Sequence, residues 1–400
     1  MKKYDLITPE GTKDLLLEEC IVRRNIECSL HKLFKSRGYC EMITPGLEFY
    51  DVFSLNSHYF PQENLYKLTD GKGRLLVLRP DSTMPIARVV ATRLKDAMLP
   101  LRIYYNQTVY RTEPALRGRS DEIAQTGIEL IGSQLKIADL EVISTAISSL
   151  KSFGMKFSLE LGHIGIFKEL VSRLEISADV KEQIRGLIEM KNFPALNDLL
   201  DSLGNSPAII ALKKLPGLFG GAEVFEKAQQ LMPDEKISGI LEELKAVYTD
   251  AAEICGSDGE ITVDLGLVNK TDYYTGIIIK GYLQGHGREV ISGGRYDKLI
   301  SEFGYDVPAI GFAVNVDAVA KVLAKSGEIS ELPCADVIVY AESGYEADAF
   351  KAAQKLRDQG AVVENALFDD LETVRDYAKE KGIPKVMIIG GENDNSTEVL

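Results

Sequence analysis

Apolar residues near the N-terminus recur at helical spacing and predict one long amphipathic helix from Thr12 to Arg37, with Gly38 as its stop signal. A short strand then ends at Pro45. Beyond this point, runs rich in β-branched and aromatic residues predict β-strands. We expect strands at 65–68, 75–78, 101–110, 123–131, 156–161, 260–265, 276–282 and 289–291, helices at 136–153 and 296–303, and an apolar segment at 309–316.

The pattern changes between about Lys168 and Ala252, where strand signals disappear and Leu, Lys, Glu and Ala dominate. This composition predicts a helical insertion at 168–252. The segments on either side, 1–167 and 253–326, are then expected to form one core.

The C-terminal part, 333–400, alternates between strand and helix patterns in the order βαβαβ. This order predicts a small α/β domain with a parallel sheet, joined to the rest by a linker at 327–333. The pattern stops soon after its third strand, so we expect a truncated domain. It contains neither a GxGxxG nor a Walker motif and is therefore not predicted to bind a nucleotide.

The composition of the 400 residues, 45% hydrophobic and 26% charged, is ordinary for a soluble globular protein. The net charge of −14 disfavours a nucleic-acid partner such as tRNA. The first 17 residues lack the apolar stretch of a signal peptide, and no apolar run is long enough to span a bilayer. Five scattered cysteines and four histidines lack metal-ligand spacing. We therefore expect a cytoplasmic protein with reduced thiols, without a metal site, a cofactor or a membrane partner.

Four motifs occur in order along the chain: LRPDST at 78–83; YRTE at 110–113 with QTGIE at 125–129; LVNKTDYYTG at 267–276; and GGRYD at 293–297 with GFA at 311–313. Together they resemble the signature motifs of histidyl-tRNA synthetases. Each motif is weak alone, but all four in order are specific. The resemblance implies an α+β fold, in which a class II synthetase-like antiparallel sheet is flanked by helices, with a helical insertion and a small C-terminal α/β domain like an anticodon-binding domain.

The side chains in these motifs suit an amino-acid ligand. Gln125, Gly127 and Glu129 alternate, so on a strand they share one face, and the glycine leaves room for a ligand near the backbone. Asp81 and Glu129 are suited to hold an α-ammonium group. Arg111 is suited to hold a carboxylate through charge-assisted hydrogen bonds.

Two tyrosines, Tyr274 and Tyr296, are suited to contact an imidazole. In the family that the chain resembles, the matching positions line the histidine site, with a glutamate in place of Asp81. The resemblance therefore implies a histidine pocket formed by Asp81, Thr83, Arg111, Gln125, Glu129, Tyr274 and Tyr296.

Each of these residues also has a plain structural alternative. Arg111 and Glu129 resemble ordinary ion-pair partners on a strand face, and Tyr274 resembles a sheet-core residue. Asp81 is well placed to cap a helix that starts at Ser82. Only the match of the whole set to one pocket favours the binding interpretation.

The motifs depart from the family where adenylation chemistry requires positive charge. Asn269, Ala318 and Asp121 replace three arginines that the family uses around ATP, while Arg111 remains. Each lost electrostatic contact at a transition state costs roughly 10²–10³ in rate. An acidic residue near a triphosphate also repels it. We therefore predict no aminoacylation and no synthetase-like binding of ATP.

A chain that keeps the amino-acid half of the pocket and loses the ATP half resembles the regulatory subunits of ATP phosphoribosyltransferase, which are non-catalytic paralogues of histidyl-tRNA synthetase. That resemblance implies a role in the first step of histidine biosynthesis and in feedback inhibition by histidine. It also implies a homodimer within a hetero-oligomer, with the short-form catalytic subunit as partner. The alternatives are a divergent histidyl-tRNA synthetase, a scaffold with a vestigial pocket, and a ligase for another substrate.

Overall fold

The structure, a computed structural model, describes residues 6–54, 60–112, 120–268, 273–325, 334–391 and 396–400. The chain forms two compact units, Met1–Ile329 and Ser330–Leu400. The predicted linker at 327–333 lies outside the described residues. The predicted limits of the core, the insertion and the C-terminal domain stay predictions.

Strands of the first unit are distributed between one large and one small sheet. They are β1 (Cys40–Glu41), β2 (Leu47–Phe49), β3 (Lys67–Thr69), β4 (Leu75–Leu78), β5 (Leu101–Tyr110), β6 (Glu122–Ile131), β7 (Phe157–His163), β8 (Phe219–Gly220), β9 (Glu260–Asp264), β10 (Ile277–Leu283), β11 (Glu289–Arg295) and β12 (Ala309–Asn315).

Helices pack around these strands. In the first unit they are α1 (Leu17–Ser36), α2 (Tyr50–Ser54), α3 (Thr83–Arg93), α4 (Lys136–Lys151), α5 (Ile164–Ser172), α6 (Ala178–Glu189), α7 (Phe193–Ser202), α8 (Pro207–Lys214), α9 (Glu223–Leu231), α10 (Glu235–Cys255) and α11 (Val316–Lys325). Short 3₁₀ turns lie at Gln62–Asn64, Leu215–Gly217 and Ile300–Phe303.

The large sheet has nine strands in the order β1-β5-β6-β12-β11-β10-β7-β9-β8. Its neighbours run antiparallel except in the pairs β1–β5 and β7–β9. Within this sheet, β6 lies between β5 and β12, with Glu129 directly opposite Gly311. The small sheet has the order β2-β4-β3.

The first helix lies against the large sheet because its apolar residues recur every four positions. Ile26, Leu30 and Phe34 are buried, and the ring of Phe34 lies 6.1 Å from those of both Tyr104 and Phe312. These contacts join the helix to strands β5 and β12, which belong to the sheet that carries the predicted pocket.

Three element predictions need correction. The first helix begins at Leu17 rather than Thr12, because Thr12 donates its backbone N–H to Pro9 in a turn. The strand predicted to end at Pro45 comprises only β1. The helix predicted at 296–303 is a 3₁₀ turn confined to its last residues, because the Tyr296 N–H instead donates to the carbonyl of Ala309, the first residue of β12.

The helical stretch between β7 and β9 also contains one short strand, β8, which pairs with β9 at the sheet edge. The sequence pattern missed it because only Phe219 and Gly220 contribute. Helices α6, α7 and α8 each have a local start signal: Ser177, Asn192 and Ser206 accept hydrogen bonds from backbone N–H groups of these helices.

The second unit contains β13 (Val337–Ala341), α12 (Glu346–Asp358), β14 (Val363–Asn365), α13 (Leu371–Lys381), β15 (Lys385–Ile389) and β16 (Ser396–Val399). Its sheet order is β14-β13-β15-β16, and all pairs are parallel except β15–β16. The sequence analysis missed β16, a short and largely polar edge strand. Arg375 on α13 pairs with Glu398 on that strand at 2.6 Å.

Candidate functional site

The predicted pocket residues belong to five parts of the first unit: the start of α3, the root of the β5–β6 hairpin, strand β6, the segment before β10 and the end of β11. Adjacent strands place Glu129 of β6 near the residues that follow β11, because β12 between them carries a glycine opposite Glu129. A Cβ atom on that glycine, Gly311, would lie 1.9 Å from Glu129 Oε2. The glycine is therefore required to make room for the carboxylate.

Glu129 is 2% exposed, and its two oxygens accept hydrogen bonds from two hydroxyl groups. Thr83 Oγ1 donates to Oε1 at 2.7 Å, and the Tyr296 hydroxyl donates to Oε2 at 2.5 Å. Burial raises the pKa of Glu129 to about 8, and the negative charge of Asp81 acts in the same direction. The two hydroxyl bonds oppose this shift without cancelling it.

Asp81 and Arg111 form the charged side of the pocket. Asp81 Oδ1 accepts the backbone N–H of Met84 at 2.8 Å, so the capping role considered for Asp81 is present in the structure. Its second oxygen lies 3.9 Å from an Arg111 terminal nitrogen. Burial raises the pKa of the Asp81 carboxyl, and the charge of Arg111 opposes that rise.

The Arg111 side chain is fixed by a hydrogen bond to the backbone of a neighbouring segment. Its Nε donates to the Pro80 carbonyl at 2.6 Å. The side chain is 37% exposed, which keeps the terminal nitrogens near the surface of the pocket. A guanidinium oriented in this way is suited to a carboxylate ligand.

Tyrosine rings form the apolar wall. The ring of Tyr273 lies 4.9 Å from that of Tyr274 and 5.7 Å from that of Tyr296, both in edge-to-face geometry. Lys168 of α5 donates to the Tyr274 carbonyl at 2.9 Å and thereby fixes the segment before β10. Burial raises the pKa of Tyr274 and Tyr296, so both keep their hydroxyl protons at neutral pH.

One expectation about this strand face is wrong. Gly127 does not leave room for a ligand, because a Cβ atom there would lie 2.6 Å from the Tyr105 hydroxyl and 2.5 Å from the Phe312 carbonyl oxygen. The glycine instead accommodates Tyr105, a buried β5 residue that lies directly opposite it. The sequence analysis missed Tyr105, although its place across from Gly127 follows once the hairpin register is known.

The remaining predicted residue, Gln125, is placed by strand register. It lies on β6 opposite Gln107 of β5 and Asn315 of β12. Whether the seven predicted residues bind histidine stays a prediction.

Two further motif residues have structural roles that the sequence did not reveal. Arg79 directs its guanidinium to the backbone carbonyls of Thr44, Pro45 and Thr108 at 2.7–3.1 Å, so it fastens the LRPDST segment to the sheet. Arg295 of GGRYD is buried against Asp139 of α4 at 2.6 Å. This pair anchors the residue directly before Tyr296.

Two residues that replace arginines of the resembled family make hydrogen bonds within the fold. Asp121 is buried and accepts a hydrogen bond from the Tyr66 hydroxyl at 2.5 Å. Ala318 is buried at the start of α11, and its N–H bonds to Asn315 Oδ1. Asn269 lies outside the described residues, as do Glu113 and the loop residues 114–119.

Within the part of the chain that the structure describes, no group of three or more His, Cys, Asp or Glu side chains is arranged to hold a metal ion. No described helix is both long and apolar enough to cross a membrane.

Comparison with known proteins decides the family. A sequence profile named histidyl-tRNA synthetase matches residues 11–319. The ATP phosphoribosyltransferase regulatory subunit of Clostridium kluyveri is 43% identical over 387 residues, which are 96% of this chain and 99% of that protein. The chain belongs to the family of ATP phosphoribosyltransferase regulatory subunits.

A second relative and two solved structures are also similar to this chain. The regulatory subunit of Bacillus cereus is 36% identical across 100% of this chain and 95% of that protein. A structure described as an ATP phosphoribosyltransferase regulatory subunit/histidyl-tRNA synthetase from Bacillus halodurans superposes with a TM-score of 0.84 at 31% identity, covering 98% of this chain and 100% of that one. The histidyl-tRNA synthetase of Nostoc, at 22% identity and a TM-score of 0.78, covers 98% of this chain and 93% of its own, and shows the shared fold.

These findings confirm the predicted family and the class II synthetase-like α+β fold. They also agree with the expected regulatory role, since the relatives are named as regulatory rather than catalytic subunits.

Proposed function

We propose that this regulatory subunit senses histidine in the pocket between Asp81, Glu129 and the tyrosine wall, and passes that signal to a short-form ATP phosphoribosyltransferase catalytic subunit. Histidine would then lower the rate of the first step of its own biosynthesis. The observation that carries the proposal is the buried Glu129 carboxylate, which is held by Thr83 and Tyr296 at 2.7 and 2.5 Å.

The charges of the pocket favour a zwitterionic ligand. Asp81 and Glu129 are both buried, and Asp81 lies 3.9 Å from the guanidinium of Arg111. Burial raises the pKa of both carboxyl groups, so a cationic ligand would stabilise their charged forms. The α-ammonium and imidazole groups of histidine supply donors for these carboxylates, and its carboxylate suits Arg111. The tyrosine rings provide an apolar surface for the imidazole.

The residues at the positions that contact ATP in synthetases favour a histidine sensor over a synthetase. Among the described residues that replace synthetase arginines, Asp121 adds a negative charge and Ala318 is buried without any charge. Developing phosphate charge therefore meets no cation at these two positions. A divergent synthetase stays the alternative, and exchange of pyrophosphate with ATP in the presence of histidine would identify it.

Self-association through the small sheet is part of the proposal. Pairing places Phe49, Leu76 and Leu68 side by side across the three strands, and Leu47 opposite Leu78, all on one face. Leu47, Phe49 and Leu68 are 47%, 44% and 42% exposed. A continuous apolar face of this kind suits burial against another protein surface, and we assign a second copy of this chain to it.

The effect of histidine on the catalytic subunit requires a coupling free energy between the two proteins. Couplings of this kind are typically about 1–3 kcal/mol and are reciprocal. Catalytic substrates that favour the active assembly should therefore weaken histidine binding to this chain by the same factor.

The decisive experiment measures turnover of ATP and phosphoribosyl pyrophosphate by the cognate catalytic subunit, with and without this chain, during a histidine titration. We expect activation by the chain and reversal by histidine. Calorimetry of histidine with the chain alone separates a sensor from a scaffold whose pocket is vestigial. Activation without histidine binding would favour the scaffold. If the chain neither activates the catalytic subunit nor binds histidine, the proposed function is wrong, and exchange of pyrophosphate with ATP then tests the synthetase alternative.

A further inference from the structure

A closed circuit of hydrogen bonds surrounds the root of the β5–β6 hairpin. The Arg111 backbone N–H donates to the Asp121 carbonyl at 2.8 Å, and the Tyr66 hydroxyl donates to the Asp121 carboxylate at 2.5 Å. The Leu78 N–H donates to the Tyr66 carbonyl at 3.0 Å. Two residues beyond Leu78, Pro80 accepts the Arg111 Nε–H at 2.6 Å. The circuit therefore begins and ends on Arg111.

One of these four links joins two side chains, and it is the bond between Tyr66 and Asp121. A hydrogen bond to a carboxylate is stronger than one between neutral groups. The Asp121 carboxylate raises the pKa of Tyr66 to about 12, which agrees with a tight contact. Since Tyr66 directly precedes β3, this bond fastens the small sheet to the root of the hairpin.

The N-terminal segment holds Asp121 from another side. The Asp121 N–H donates to the Gly11 carbonyl at 2.7 Å, and Ser120 Oγ donates to the same oxygen at 2.9 Å. A Cβ atom on Gly11 would lie 2.5 Å from the carboxyl carbon of Asp121, and the φ of Gly11 is +80°. Gly11 therefore allows the backbone to pack directly against the carboxylate.

We infer that Asp121, held by Tyr66 and Gly11, is a positioning residue that orients the Arg111 guanidinium towards the carboxylate of an amino-acid ligand. This inference rests on the proposed function, in which Arg111 binds that carboxylate. An arginine side chain loses much rotational freedom when it binds a ligand, and a scaffold that fixes its Nε in advance reduces that loss. Asp121, which replaces an arginine of the resembled synthetases, thus orients a residue in the amino-acid half of the pocket.

The test uses the full-length chain and two variants that open the circuit from opposite sides, Tyr66→Phe and Asp121→Ala. The matched control is Tyr377→Phe in the second unit, where the tyrosine hydroxyl also donates to a carboxylate, that of Glu364, at 3.1 Å. Calorimetry compares histidine with histidinol, which has a hydroxymethyl group in place of the carboxylate. We expect the affinity for histidine to fall about tenfold in both variants. This is a usual size for the interaction between neighbouring groups that are coupled to one another. The affinity of both variants for histidinol, and the affinity of the control variant for histidine, should stay unchanged.

Equal losses for histidine and histidinol would show that the circuit is merely structural and would overturn the inference, as would unchanged histidine affinity in both variants. A wild-type chain that binds no histidine would instead contradict the proposed function. The circuit itself is then tested by hydrogen exchange of the Arg111 Nε proton, observed by nuclear magnetic resonance. Faster exchange in Tyr66→Phe is expected, and unchanged exchange would overturn the inference independently of any ligand.

Discussion

Two tyrosine–carboxylate pairs in the first unit have the same length and different surroundings. Tyr296 donates to Glu129 and Tyr66 donates to Asp121, each at 2.5 Å. Glu129 lies in the core beside a second carboxylate, and its pKa is raised to about 8. The pKa of the tyrosine is raised in both pairs, well above its ordinary value for the buried Tyr296 and to about 12 for the half-buried Tyr66.

The difference shows that surroundings, rather than the bond, decide what a carboxylate can do. Asp121 is enclosed by partners from its own chain, including the Gly11 backbone, and so contributes to the fold. Glu129 has hydroxyl partners but shares its pocket with Asp81, so a donor ligand improves its electrostatic environment.

The largest effect is expected for Glu129→Ala. The variant removes the ligand's acceptor and leaves the Thr83 and Tyr296 hydroxyls without their partner. Loss of a buried charged partner typically costs about 2–5 kcal/mol in binding, so we expect histidine affinity to fall at least about 30-fold. Calorimetry and histidine titration of the assembled enzyme measure this, and loss of assembly itself would show that Glu129 is structural.

Gly311→Ala should push the Glu129 carboxylate away, because the new Cβ would lie 1.9 Å from Oε2 and 2.3 Å from the Ile128 carbonyl oxygen. Overpacking of this kind costs about 1–3 kcal/mol in the free energy of unfolding. Urea denaturation measures it, with Gly239→Ala as control, since no atom lies within 4 Å of a Cβ on that α10 glycine. Equal stability of the two variants would contradict the tight fit.

Tyr296→Phe and Tyr66→Phe compare the two pairs directly. The first removes a bond to a fully buried carboxylate and should cost about 1.5–3 kcal/mol of unfolding free energy. The second acts at a half-buried site, where water can replace the lost hydroxyl, and should cost about 1 kcal/mol. Denaturant titrations of both variants test this order, and a larger loss for Tyr66→Phe would reverse the comparison.

The last prediction concerns the dependence of stability on pH. Because the folded-state pKa of Glu129, about 8, exceeds the ordinary value of 4.5, the stability from its neutral form is complete below pH 4.5 and is lost as pH rises through 8. Asp139, with a pKa of about 6, and His163, with a pKa of about 4, titrate mostly at lower pH. Between pH 6.5 and 8.5 the unliganded wild type should therefore lose stability that Glu129→Gln retains. Thermal unfolding measures this, and parallel curves for the two proteins would contradict the shift.

Local patterns predicted the parts of the fold that depend on neighbouring residues. The apolar repeat of Ile26, Leu30 and Phe34 predicts the buried face of α1, and the alternation along β6 places Gln125 and Glu129 on one face. The capping role of Asp81 was likewise visible as an alternative.

Contacts between distant segments could not be predicted in this way. The partner of Asp121 is 55 residues away in the sequence, and that of Asp139 is 156 residues away. Tyr105 was missed because its relation to Gly127 depends on the hairpin register. Strand β16 was missed because it is short, largely polar and stabilised by its pairing with β15.

The apolar face of the small sheet also affects how the protein is handled in the laboratory. Strands β2 and β3 form the two edges of that sheet, and Leu47, Phe49 and Leu68 on them are exposed in the single chain. During refolding, an exposed apolar face of this kind promotes association with other unfolded or partly folded chains. We expect the yield of soluble protein to rise when refolding is carried out at high dilution, and solubilising substitutions at Phe49 to reduce that dependence on concentration.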